Sequence, residues 1–216
     1  MDYQTVLKGI KKARENSKKR GFKQTFDCII NLKNLDLKKP EHKLDFGVQI
    51  ENNIKHRPLK IAAVVEHNIK DAEKVFDKVL YKDDLEQYRG DLEKIKKLSK
   101  EVDKFVVQST LMVNFAQIFG RYLGPLNKMP NPRLGMVITD KTNIKELYEK
   151  LQKTVHIQVK KSLVVQFSFG GEDVDDETLA KSLHHVLDVL EHRLPLGSNN
   201  IKDIFVKTTM GGLVRL

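Results

Sequence analysis

The residues with chemistry to offer stand in two places. Near the carboxyl end the chain reads IKDIFVKTTMGG from Ile201 to Gly212. Two hydroxyls, Thr208 and Thr209, precede an unbranched Met210 and the pair Gly211–Gly212. Hydroxyls and exposed main-chain amides can meet RNA sugar edges and phosphates. A glycine pair lets the backbone take positive φ and lets another backbone come close. The second place holds His184, His185, Asp188, Glu191 and His192. At i, i+4 spacing His184, Asp188 and His192 extend along one helix face, a geometry that could hold a metal or an acid–base pair. No H-E-x-x-H accompanies them, and they read as ordinary surface residues of a helix. No G-x-G-x-x-G and no P-loop follows any strand signal, so a nucleotide enzyme is not expected.

Charge narrows the partner. Among 216 residues there are 39 Lys and Arg against 29 Asp and Glu, a net charge of +10. Such an excess points to a polyanion. No apolar run approaches the length of a membrane span and no amino-terminal signal peptide is visible, so no membrane partner is expected. From Met1 to Thr25 there are eight Lys and Arg against Asp2 and Glu15. A run of that kind is either a solvated face or a phosphate-facing one. The single cysteine, Cys28, lies in the apolar run FDCIINL and reads as a buried thiol, which suits a reducing cytoplasm. With no Trp in the chain, base stacking on indole is excluded.

The elements that must position these residues follow from periodicity. Tyr3 to Arg20 reads as a helix ended by Gly21, with Val6, Leu7, Ile10 and Ala13 as its apolar stripe. Phe22–Thr25 leads into a strand through Leu32; Lys38–Pro40 is a turn, Leu44 to Ile50 a second strand and Glu51–Asn53 a turn. After His56–Arg57–Pro58 the pattern changes. Ile61–Val65 and Phe105–Val107 are short continuous apolar runs, as in strands buried on both faces. They alternate with helices at Lys70–Asp77, Asp84–Lys100 and Leu111–Leu123, and with a short strand at Val79–Tyr81. This is the pattern of a doubly wound α/β unit. Three prolines and a glycine in Leu123–Pro132 make a stiff loop, either a rigid connector or a functional loop presenting Lys128. From Gly135 to Lys141 the chain crosses back.

Asn143 to Lys153 is a further helix. Val155–Val159 and Leu163–Phe169 read as a hairpin with Lys160–Ser162 at its tip, and Gly170–Gly171 as a turn. A helix follows from Asp175 to about His192, with acids at its positive end. The last strand is Ile201–Thr209. Neither end of the chain makes a good core alone. The expected arrangement is an α+β domain built from both ends, residues 1–58 and 140–216, with a doubly wound, Rossmann-like α/β domain inserted at 59–139. That brings Phe22–Thr25 and Thr208–Gly211 into one domain.

Three stretches carry a resemblance. The loop LGPLNKMPNP, the terminal TTMGG, and the F-x-x-T of Phe22 to Thr25 after a basic helix resemble the signatures of the large-subunit ribosomal protein L-one family, in its archaeal and eukaryotic branch. The chain departs from the family's frequent Pro after the TMG glycine, having Gly212, and from Gly-Pro-Arg-Gly in the loop, having Gly124–Asn127. The resemblance implies a non-enzymatic constituent of the large subunit that binds its rRNA, forms the mobile stalk beside the exit site and assists release of exit-site tRNA. It implies a cytoplasmic ribosomal location, a monomer when free, no cofactor, and, in a prokaryote, repression of its own mRNA. A free RNA-binding repressor that never joins the ribosome is the alternative. By motif, the RNA contacts would be Phe22, Thr25, Thr209, Met210 and Gly211, and the neighbouring hydroxyl of Thr208 is expected beside them. Lys23, Lys202 and Lys207 are basic neighbours expected on phosphates.

Overall fold

The computed structural model describes residues 2–39, 42–54, 57–66, 72–139, 142–160 and 162–216. The first segment supplies Tyr3–Glu15 (α1), Thr25–Leu32 (β1) and Leu44–Gln49 (β2). The middle supplies Ile61–Val65 (β3), Ala72–Val75 (α2), Lys78–Tyr81 (β4), Lys82–Gln87 (α3), Leu92–Glu101 (α4), Lys104–Gln108 (β5), Met112–Leu123 (α5), Val137–Ile138 (β6) and Ile144–Gln152 (α6). The last supplies Thr154–Val159 (β7), Val164–Gly171 (β8), Asp176–Arg193 (α7), Ile201–Thr208 (β9) and Val214–Arg215 (β10). Two compact units result: Met1–Pro58 with Lys153–Leu216, and Leu59–Gln152. The expected turn at Pro40, His56, the helix start at Lys70 and the tip residue Lys161 lie outside the described residues.

In the chain-end unit, alternation in β1 buries Phe26, Cys28, Ile30 and Leu32 and leaves the residues between them half exposed. β1 pairs antiparallel with β8 on one side and β9 on the other, and the sheet runs β10-β9-β1-β8. Two helices cover its apolar face. Val6, Ile10 and Ala13 of α1 and Leu179, Leu183, Val186 and Leu190 of α7 are buried at helical spacing. α1 packs on α7 and β9, and α7 also on β8. α1 is shorter than expected, ending at Glu15 with Asn16 as its cap.

The expected hairpin of β7 with β8 is absent. β7 pairs along its length with β2, from Leu44 opposite Val159 to Gln49 opposite Thr154, while β8 takes β1. Gly170 and Gly171 are not a turn but the end of β8, opposite Phe26 and Thr25. A Cβ at Gly170 would stand 2.2 Å from Leu179 Cδ2 and 2.9 Å from Asn52 Nδ2, so glycine there serves close packing.

The middle unit has an all-parallel sheet, β4-β3-β5-β6. Every residue of β3 is buried, as a strand covered on both faces requires. Phe105, Phe115 and Phe119 fill the core, the last two rings stacked at 4.6 Å. The expected helix over Asp84–Lys100 is two helices. Gly90 takes φ +83°, which no helix can pass through, and Asp91 restarts the chain by accepting from the Lys94 amide at 3.0 Å.

The end of the insertion also differs from expectation. Residues 142–152 group with the middle unit rather than with the chain ends. Tyr148 of α6 meets the Phe76 ring edge-on at 6.0 Å, and Lys104 Nζ donates to Leu151 O at 3.1 Å. Gln152 accepts from Leu59 N at 2.6 Å and donates to Leu59 O at 2.8 Å. That reciprocal pair holds the two ends of the unit side by side.

Candidate nucleic-acid interface

β9 ends at Thr208, and a turn follows in which the Gly211 amide donates to Thr208 O at 3.0 Å. Thr208 lies opposite Phe26 in the β1–β9 ladder. One step on, the ladder is continued by a side chain. Thr209 Oγ1 accepts from the Thr25 amide at 3.0 Å and donates to Thr25 O across a longer 3.3 Å. A hydroxyl has two lone pairs and one proton, so Thr209 keeps a second acceptor site beyond these two bonds. Residues from opposite ends of the sequence thus meet along one edge, the end of the sheet where β1 begins and β9 stops. Met210 is 60 % exposed and Phe22 53 %, so both offer apolar surface to solvent beside that pair.

The organising residue is one that sequence reading passed over. Gln24 is only 1 % exposed. Its Nε2 donates to Ser17 Oγ at 2.8 Å and Lys18 O at 3.2 Å, and its Oε1 accepts from the Met210 amide at 3.0 Å. Its main chain exchanges two bonds with Glu172, to Oε2 at 3.0 Å and from the Glu172 amide at 2.8 Å. Gln24 therefore fixes the Met210 turn to the end of α1 and to the loop after β8. Parity held the signal, because Gln24 continues the buried series Phe26, Cys28, Ile30.

Not every expected contact lies on this edge. The Thr208 side chain is fully buried, in series with Ile204 and Val206, and its Oγ1 donates to Ser17 Oγ at 2.9 Å. Its hydroxyl is a structural bond rather than a surface group. Gly211 and Gly212 do not take the expected positive φ. Gly211 answers instead to close approach, since a Cβ there would stand 2.3 Å from Thr208 Oγ1. Lys202 has the opposite parity to Lys207 and stands five residues back along β9, roughly 17 Å at antiparallel rise. The structure does not bring it to the turn. Lys207 is half buried on the open face of the sheet, opposite Asp27, whose Oδ1 accepts from Ser168 Oγ at 2.6 Å. Lys23 is exposed, 3.6 Å from Asp173 Oδ2.

Arg14, Lys128 and the histidines of α7 make contacts within the fold. Arg14 donates to Asp176 Oδ1, Glu172 O and Val174 O at 2.6–2.8 Å and lies 5.1 Å over the Phe26 ring, pinning the loop beside the turn. Lys128 donates to Ser99 O and Val102 O, each at 2.6 Å, and closes the end of α4. The His184 ring meets Tyr3 edge-on at 6.1 Å, while His192 Nδ1 donates to Asp188 O at 2.8 Å. That backbone bond and the Asp188 carboxylate raise the His192 pKa. Among the described residues no three His, Cys, Asp or Glu side chains converge as a metal site would need. Burial pushes the Cys28 thiol well up.

Comparison with known proteins places the chain among ribosomal proteins. The model of the Ribosomal protein L1p/L10e family matches residues 11–212, and the chain belongs to that family. The Large ribosomal subunit protein uL1 of Thermococcus kodakarensis is 36 % identical over 216 residues, covering 100 % of this chain and 98 % of the relative. Its counterpart in Methanobrevibacter smithii is 37 % identical over 217 residues, covering 99 % of each. That of Nanoarchaeum equitans is 38 % identical over 211 residues, covering 96 % and 97 %. All three are archaeal, and the family's members are structural ribosomal components rather than enzymes.

Proposed function

We propose that the chain is a structural constituent of the large ribosomal subunit and holds its rRNA on the edge formed by Phe22–Thr25 and Thr209–Gly211. The observation that carries this is the Thr25–Thr209 pair, which joins the two ends of the sequence beside exposed Phe22 and Met210. Hydroxyls and close-packed backbone suit ribose and phosphate, and exposed apolar groups suit unstacked bases. Lys23 and Lys207 are the basic groups near enough to add phosphate contacts.

On this reading the bound element is the mobile stalk beside the exit site, and the protein assists release of deacylated tRNA. It acts on cytoplasmic ribosomes and is a monomer when free. In a prokaryotic cell it also represses its own mRNA, through an RNA shape like that of the rRNA site. A nuclease footprint on large-subunit rRNA tests the first claim: protection that disappears with Thr209→Val supports it, and unchanged protection removes the site. A repressor that never joins ribosomes would stay at the top of a sucrose gradient, whereas the proposed protein sediments with large subunits.

A further inference from the structure

The positive charge of the molecule is concentrated. Residues 1–25 hold eight Lys and Arg against two acids, six of the ten net charges of the whole chain. Two of the eight have partners, Arg14 on the loop after β8 and Lys23 beside Asp173. Lys8, Lys11, Lys12, Lys18, Lys19 and Arg20 are exposed, and among the described residues none has a carboxylate within ion-pair distance.

Lys8, Lys11 and Lys12 have a defined geometry. Their i, i+3, i+4 spacing puts them on one face of α1. At about 100° per residue that face is centred opposite the buried stripe of Val6, Ile10 and Ala13, so it points away from the core. Its neighbours on that face are Gln4 and Glu15, and it presents no aromatic ring. Gln24 and Ser17 fasten the carboxyl end of α1 to the Met210 turn. Lys18, Lys19 and Arg20 follow α1 in the sequence and are exposed.

We infer that the outward face of α1 is a second RNA surface, on which Lys8, Lys11 and Lys12 take the phosphodiester backbone of a duplex arm flanking the element held at the turn. This rests on the reading of the turn as an RNA site. Cations without base-reading partners give sequence-independent, salt-sensitive contact. The ridge therefore adds affinity only for RNA long enough to reach it. Glu15 interrupts the ridge one turn beyond Lys11 and Lys12 and weakens it.

The test uses the full chain and two large-subunit rRNA fragments. One is trimmed to the shortest form whose binding still depends on Thr209; the other carries one further helical turn of duplex. The triple variant Lys8→Gln, Lys11→Gln, Lys12→Gln keeps good helix formers and should bind the short RNA as the wild type does. On the long RNA its log–log salt slope should be shallower by about two to three, because each phosphate contact contributes about 0.9. Between 50 and 200 mM salt, wild-type affinity for the long RNA should then fall about fortyfold more than the variant's. Glu15→Lys should steepen the slope on the long RNA alone. Equal slopes for wild type and triple variant on both RNAs overturn the inference, and leave the ridge to an acidic protein or a lipid surface. A slope change already present on the short RNA also overturns it, because the lysines would then belong to the turn site. Failure of the wild type to bind either fragment sinks the turn-site reading itself, which the Thr209→Val control detects separately.

Discussion

Thr209 shows how a single hydroxyl can serve both the fold and a ligand. It accepts the Thr25 amide and still has a lone pair to offer. Thr209→Ser should keep both bonds and bind RNA as the wild type does. Thr209→Val removes them. The Thr25 amide is at an exposed position, where water can replace the lost acceptor, so melting temperature should shift little. In the complex the same loss is dry and costs about 1–3 kcal/mol, or roughly ten- to a hundredfold in affinity. The salt slope should stay as it was, because no charge is lost, whereas Lys207→Ala should lower it by about one. Wild-type affinity for Thr209→Val in a filter-binding titration would remove the site. Gln24 makes a different prediction, because it is buried and acts through the turn. Gln24→Ala leaves the Met210 amide and Lys18 O without the Gln24 side chain, takes one of two donors from Ser17 Oγ, and should destabilise the chain-end unit by about 1–3 kcal/mol. Amide exchange at Met210 should quicken even under conditions where the unit stays folded. Unchanged protection at Met210 would show that Gln24 does not hold the turn.

Elements were legible where the local pattern was complete. The stripe of α1, the alternation of β1 and the apolar run of β3 could each be read from a few residues. Partner choice could not, because β7 and β8 are both good strands joined by a short loop, and only the complementary alternation of distant β1 and β2 separates them. Gly90 was visible in the sequence, but the charged stripe on both sides of it read as one helix. Thr208 was read as a surface hydroxyl although its parity with Val206 was plain, because the motif was weighed ahead of the alternation. Two predictions belong to this scale. Gly170→Ala should destabilise by about 1–3 kcal/mol, as overpacking against Leu179 does, and a thermal melt with no shift would refute the close packing. The β2–β7 ribbon carries a pH signature. Asp45 stands opposite Gln158, with His156 Nε2 at 2.7 Å and Lys160 Nζ at 3.3 Å. Burial raises the Asp45 pKa, but the His156 bond and charge together with Lys160 outweigh it, and the net shift is downward. A carboxylate depressed on folding contributes stability above its unfolded pKa, about 3.9, and loses it as pH falls through the folded value. The stability gap between wild type and Asp45→Asn should therefore be open at pH 6 and close below about pH 4. Urea midpoints that keep the same gap at low pH would sink this account.

At the scale of the molecule, the sequence order hides a simple construction. One unit is closed by strands from both chain ends, and the first and last residues of the other are bonded to each other. The Leu59–Gln152 pair holds the two ends of the inserted segment side by side. β1, β8 and β9 are hydrogen-bonded without help from residues 59–152, and α1 and α7 cover their apolar face. The charge divides in the same sense: the chain-end unit has 22 Lys and Arg against 15 acids, the middle unit 17 against 14. A protein in which Pro58 is joined to Lys153 by a short Gly–Ser linker should then unfold cooperatively. It should bind the rRNA fragment within a few-fold of the intact chain and with nearly the same salt slope, because the cations assigned to the interface all remain. The excised unit, Leu59–Gln152, should fold around Phe105, Phe115 and Phe119 and bind the fragment only weakly. Circular dichroism establishes that each piece is folded before any RNA is added, so a failure to bind cannot be mistaken for a failure to fold. A folded middle unit that binds as tightly as the intact chain would place the interface on the parallel sheet and away from Thr25 and Thr209.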